Sequence, residues 1–309
     1  MRTTTAGIVA NKVQKYVAKR FRRIIANSPD GVPPWLEAVA AGNDAGLFLP
    51  SDAPWVVHGD LATLIGGIRA LLMQALHPGT LTGVATHSRY ESDPLGRLAG
   101  TTRWLTVTTF GSKKTIADEA NRVNQMHNRV KGTFLTGKGD LRTYQASDPD
   151  LLLWVHIAFT NSFLTAHELF GSESIPGGSD NYVAQWSKSV NQLSLTETPM
   201  SKIELNQTLM SYFERGELAL TDQTARVIGF IRRPPLPKVA SLVYFCLYQA
   251  AVASIPNPYR ALLNLKSLPL WLIRPIMRSF LLILALAIGP ESPIEEAALT
   301  RLRRIGAIL

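Results

Sequence analysis

Residues 114–132, KTIADEANRVNQMHNRVKG, decide how the chain is read. Ile116, Ala120, Val123, His127 and Val130 follow one another at steps of four, three, four and three, which is the spacing of one face of an α-helix. Asp118, Asn121, Arg122, Gln125 and Arg129 fall on the opposite face. The stretch therefore predicts a surface helix with one buried side and Gly132 as its C-terminal stop. His127 then points inward among valines, where an imidazole needs a partner for its ring nitrogens. A metal ion is one such partner, and a backbone carbonyl is another.

The segments on either side carry the same period. Residues 60–76, DLATLIGGIRALLMQAL, read as a nearly all-apolar helix stopped by His77-Pro78-Gly79. Adjacent glycines, here Gly66 and Gly67, cost a helix roughly 2 kcal/mol relative to alanines, so something approaches the backbone there, either another helix or a flat ligand. Asp93-Pro94 opens a helix over about 95–110, on which Arg97, Thr101, Trp104 and Thr108 share a polar face beside a notch at Gly96 and Gly100. An arginine and a threonine one turn apart can jointly hold an anionic or oxygenated group. Asp148-Pro149 opens the next helix, with Leu152, His156, Phe159, Phe163 and His167 on one side. His156 and His167 can share an interior, but there is no H-E-x-x-H and no third ligand set by spacing. His167-Glu168 reads as a pair at the surface, and His77 as a dipole contact at a helix C-terminus when protonated.

Residues 132–139, GTFLTGKG, resemble a phosphate-binding loop but place Gly139 where a serine or threonine must reach magnesium. The preceding element is also helical, so a plain loop is predicted. Further on, Ser201-x-x-Glu204 and Thr221 cap two more helices, and Arg232-Arg233-Pro234-Pro235-Leu236-Pro237 forms a linker. Residues 239–255 carry no charge and predict a buried core helix, with Tyr244, Tyr248 and Gln249 arguing against a bilayer span. The apolar run 280–288 is too short to span, and Ser292-Pro293-Ile294-Glu295 reads as a capping box. No strand pair, βαβ alternation or fixed repeat is visible. The expectation is an all-α protein of roughly ten or more helices. A basic amphipathic helix over residues 1–30 precedes one domain over 31–309, within which the helices after 238 can form a subdomain.

Composition sets outer bounds. With 309 residues, 46% hydrophobic and 18% charged, the chain can bury a large core. The single cysteine, Cys246, excludes an internal disulfide and a cysteine-rich metal cluster. The N-terminus MRTTTAGIVANKVQKY lacks a continuous apolar run, so the expected location is cytoplasmic, peripheral at a membrane. The net charge of +9 is concentrated at the ends: residues 1–30 carry seven basic groups and one acid, and residues 226–309 carry eleven and three. In the first segment Val9, Val13, Val17, Phe21 and Ile24 form a stripe bordered by lysines and arginines, a pattern that suits a membrane surface. Nucleic acid is the weaker partner, because no helix-turn-helix, zinc finger or aromatic-basic interleaving is present.

Several spaced strings then carry a resemblance. W-V-V-H-G-D at 55–60, Q-A-L-H-P-G at 74–79, H-S-R-Y at 87–90, D-P-L-G-R-L-A-G-T at 93–101, F-G-S at 110–112, M-H-N-R-V-K-G at 126–132 and L-W-V-H at 153–156 occur in consistent order. Together, over about residues 50–215, they resemble the rubber-oxygenase (latex clearing protein) and MpaB-type oxygenase family. The resemblance implies a globin-like all-α core around b-type haem, and oxidative cleavage of isoprenoid double bonds by dioxygen in the characterised branches. It makes His127 the proximal iron ligand and puts Arg97 and Thr101 beside the haem as catalytic residues. Gly100, His77 and His156 join the cofactor pocket. The rubber-cleaving branch has a lysine where this chain has Gly100, so a haem pocket is implied more firmly than polymer cleavage. The functional expectation is a haem-b-dependent oxygenase for a hydrophobic, unsaturated, lipid-like substrate, taking dioxygen as co-substrate. The rivals are a non-catalytic haem or lipid-binding protein at the membrane surface, and a purely structural helical protein.

Overall fold

Two helices, Ala62–Gln74 and Pro149–Phe170, meet along their length at the centre of the protein, because both are apolar on more than one side and cannot be covered by a single neighbour. A computed structural model describes residues 5–26, 28, 30–87, 94–289 and 292–309, with side chains at 14–24, 28, 30–83, 99–289 and 292–309. In chain order the elements are α1 (Thr5–Ala26), α2 (Leu36–Ala40), α3 (Ala53–Gly59), α4 (Ala62–Gln74), α5 (Pro78–His87), α6 (Pro94–Phe110) and α7 (Lys113–His127). After a hairpin of β1 (Lys131–Leu135) and β2 (Leu141–Gln145) come α8 (Pro149–Phe170), α9 (Gly178–Trp186) and a 3-10 segment at Ser187–Leu193. The chain closes with α10 (Lys202–Glu214), α11 (Asp222–Arg232), α12 (Lys238–Ser254), α13 (Asn257–Leu262), α14 (Leu270–Ile288) and α15 (Pro293–Arg304).

The α4–α8 contact answers the question raised by the glycine pair. A side chain at Gly66 would place its Cβ 2.7 Å from Phe163 Cδ1 and 3.1 Å from Phe163 Cα. Helix α8 is what comes close. Gly67 meets none of the described residues within 4 Å. One turn on, Arg69 is 1% exposed and donates to Ser162 Oγ and Asn161 Oδ1, both at 2.7 Å, with burial pushing its pKa down to about 9. Side chains of α10, α11, α12 and α14 join α4 and α8 in the same core, so the segments after the Pro-rich linker are packed onto the centre.

The protein is mostly helical, in agreement with the fold class, but five local expectations are corrected. Helix α7 ends at His127, and residues 131–135 and 141–145 pair antiparallel, Thr133 opposite Thr143, where a helix end and a loop were expected. The strands are short and expose most of their residues, and only Phe134 and Tyr144 tuck inward, so their period-two signal was weak. Helix α12 buries only its second half, with Val239 80% and Leu242 67% exposed. The run at 280–288 belongs to a 19-residue helix, α14, which begins ten residues earlier and carries Arg274, Pro275 and Arg278. At the last predicted capping box Ser292 makes no cap bond, and Glu295 instead accepts from Trp55 Nε1 at 2.8 Å. Ser201 and Thr221 do cap their helices, through Glu204 N and Thr224 N. The predicted N-cap Asp93, and the motif at 88–90, lie outside the described residues.

Candidate active site

A cavity of about 560 Å³ lies between α5, α6, α7, α8, the hairpin and the 3-10 segment. That volume is within the range of small-molecule and cofactor sites, roughly 300–1,000 Å³. Four of the sequence-derived site residues line it together: Gly100 and Thr101 from α6, His127 from α7 and His156 from α8. They come from three helices that contribute nothing to one another in sequence.

His127 is the last residue of α7. The helix is oriented by its buried stripe Ile116, Ala120 and Val123, and its first turn is held by Ser112 Oγ, which accepts from Thr115 N. The imidazole is half-buried, less enclosed than the stripe predicted, because the helix stops there and the chain turns into the hairpin. His156 sits deeper, 6% exposed in the middle of α8, and burial lowers its pKa to about 4. It is therefore neutral at pH 7, with a nitrogen lone pair available.

Gly100 leaves the wall open: a Cβ there would meet none of the described residues within 4 Å. Ser189 Oγ and Tyr144 Oη, both on the lining, have no hydrogen-bond partner among the described residues. Buried polar atoms left this way are costly, and a ligand is one means of satisfying them. The rest of the wall is largely apolar, with Trp104, Leu105, Val155, Phe159 and Val190 facing in.

Arg122 lies on the exposed face of α7, as its helical position predicts, and its side chain also borders the cavity. It is fixed by Glu119, a 2% exposed carboxylate that also receives Arg103 Nε at 2.7 Å. The bond to Glu119 raises the pKa of Arg122, so its charge is permanent. Helical spacing could not reveal this, because one side of a helix that looks outward in projection can face a neighbouring helix across a gap.

Two other residues are placed differently. His77 does not line the cavity; it is 2% exposed behind Gly79, among the rings of Phe134, Trp154 and Tyr212, and its Nδ1 accepts from Gly79 N at 3.1 Å. Burial lowers its pKa, so the protonated dipole contact expected at this helix end is not made. The Arg97 side chain lies outside the described residues. His167 is 3% exposed and bonds Glu173 O, away from this cavity, which corrects its assignment to the surface.

His58, the histidine of W-V-V-H-G-D, has no role that the sequence assigns. It is 7% exposed, with Nδ1 at 2.8 Å from Thr109 Oγ1 and Nε2 at 2.9 Å from Tyr182 Oη, and burial lowers its pKa to about 3. His58 and His156 are both neutral in the folded protein and would take up protons near pH 6.5 once unfolded. Stability present above pH 6.5 is therefore lost as the pH falls towards 4, on the order of a few kcal/mol between them. Urea midpoints at pH 7, 5.5 and 4 are expected to fall in that order, and His156→Gln to flatten the slope. An unchanged slope in that variant removes the assignment.

Residues 55–287 match the family described as ER-bound oxygenase mpaB/B'/Rubber oxygenase, catalytic domain. No curated protein and no solved structure matches the chain. The matched span reaches well past the motifs ending near 215, taking in α11 to α14, whose side chains share the core with α4 and α8. It covers most of the sequence and every residue of the cavity wall, and on that ground the chain belongs to the mpaB/B'/rubber oxygenase catalytic-domain family.

Proposed function

We propose that the protein is a haem-b-dependent oxygenase that uses dioxygen on a hydrophobic, unsaturated, lipid-like substrate, an isoprenoid being the class its resemblance suggests. The observation that supports this most is the convergence of His127, His156, Thr101 and the open Gly100 wall on one largely apolar cavity. The donor set suits a macrocyclic iron centre. Among the described residues no three histidine, cysteine, aspartate or glutamate side chains gather as a metal cluster, whereas haem would require only one imidazole from the protein to hold its iron.

In this reading His127 supplies that imidazole, and Arg122, held by Glu119, neutralises a carboxylate at the edge of the group. Thr101, Ser189 and Tyr144 offer hydroxyls for polar atoms inside the pocket, and His156 offers a neutral ring that can accept or pass a proton. Trp104, Val155, Phe159 and Val190 bind the apolar body of the substrate and exclude water. Bound haem would supply the activation of dioxygen, and the protein the position and polarity around it.

The test is expression with haem supplementation, followed by oxygen uptake with long-chain alkenes. A Soret band at about one haem per chain, and alkene-dependent oxygen uptake, are expected. Haem without uptake would leave the non-catalytic haem-binding alternative; a colourless protein would remove both. Gly100→Trp should fill the open wall, lowering haem occupancy or turnover about tenfold, with the helical circular dichroism retained, because a Cβ at this position meets none of the described residues within 4 Å. Full occupancy and turnover in that variant would place the site elsewhere.

A further inference from the structure

We infer that α12 and α14 form a docking face that lies on the surface of an anionic lipid bilayer. The proposal is independent of the haem assignment. Its first support is the outer surface of α14. Ile273, Met277 and Leu281 point into the core at steps of four, and the opposite side is apolar and uncovered, with Trp271 76%, Leu282 62% and Leu286 69% exposed. Helix α12 packs beside it and adds the exposed first half already described, including Phe245 at 51%. Isolated exposed apolar side chains are ordinary, but several on each of two helices packed side by side mark an interaction surface.

Charge identifies the partner. Between Asp222 and Glu291 the sequence holds eight lysines and arginines and not one acidic residue. Arg274 and Arg278, one turn apart, are exposed along one margin of the α14 face. Helix α1 packs against α14, with Gln14 Nε2 donating to Leu286 O at 2.7 Å, and brings six more basic residues and no acid, of which Lys15, Lys19, Arg20 and Arg23 are exposed. An apolar face bordered by cations on this scale complements anionic headgroups over acyl chains. A symmetric pairing of two copies would instead bring like charges together across the interface.

The same geometry favours lying in the surface over crossing it. Helix α14 is long and apolar enough to span by composition, yet its inner stripe is committed to the core and only its outer half is free. Trp271, in the first turn, sits where an indole prefers the boundary between headgroup and chain. The N-terminal basic helix expected to meet the membrane thus serves as the flank of a larger apolar face.

The experiment is sedimentation of the full chain with phosphatidylcholine vesicles, with and without phosphatidylglycerol, at low and high salt. Binding to the anionic vesicles, weakened by salt, is expected. Leu282→Glu with Leu286→Glu should reduce it at least about tenfold with an unchanged circular dichroism spectrum, and Trp271→Ser should reduce it less. Leu141→Glu, an equally exposed apolar site on the hairpin, should leave it as in the wild type. Absence of wild-type binding, equal loss in Leu141→Glu, or a solution dimer that the α14 substitutions dissociate would each overturn the proposal.

Discussion

His127→Ala is expected to emerge from a haem-supplemented preparation almost colourless, with its helical circular dichroism intact. Removing a residue that merely orients a metal ligand costs 10–100-fold in affinity, so if His127 holds the iron as proposed, its loss should cost at least about 100-fold, and oxygen uptake should fall with it. The fold should survive, because the ring is half-buried at the end of α7 and the stripe Ile116, Ala120 and Val123 is untouched. The stability loss should stay within about 1 kcal/mol. Free imidazole added to the variant should restore part of the Soret absorbance. His156→Gln is the companion measurement. If it loses the band while His127→Ala keeps it, the iron is held from α8 and the roles of the two histidines are exchanged.

The second large effect is structural. Gly66→Leu should destabilise the protein by about 3 kcal/mol in urea titration, at the upper end of what overpacking usually costs. A Cβ at this position meets the Phe163 ring at 2.7 Å, and also its backbone at 3.1 Å and Ser162 O at 3.3 Å, which cannot turn aside as a side-chain tip can. Helices α4 and α8 would have to separate, which would also shift His156 on the cavity wall. Gly67→Ala, one residue on, meets none of the described residues within 4 Å and should be neutral or stabilising by up to about 1 kcal/mol, because alanine is the better helix former. Equal effects of the two substitutions would mean that helix propensity, and not the α4–α8 approach, explains the pair.

The helices of this protein were legible because their apolar residues recur at helical spacing and their ends carry recognisable caps, as at Ser201 and Thr221. The hairpin was not, since strands of five residues that bury one side chain each leave almost no periodic trace. Helix α14 was cut short in sequence because Arg274, Pro275 and Arg278 interrupt its apolar run, although the outward arginines cost nothing and the chain stays helical through the proline. Among the site residues, Gly100, Thr101, His127 and His156 could be named from local motifs, while Arg122 could not, because its projection onto a lone helix gives a solvent face.

By itself, the sequence determined the helical class, the central glycine-bearing helix, the family strings and the inward side of α7, all of which follow from the order of neighbouring residues along one element. Tertiary structure alone decided that Gly66 and not Gly67 bears the helix contact, that His77 is set apart from the cavity that His127 and His156 share, and that the outer face of α14 is left uncovered. The reason is physical: a local pattern states which side of a helix avoids water, but what stands opposite that side depends on other helices well separated in the chain, and only their packing determines whether it is a core, a cavity or an open surface.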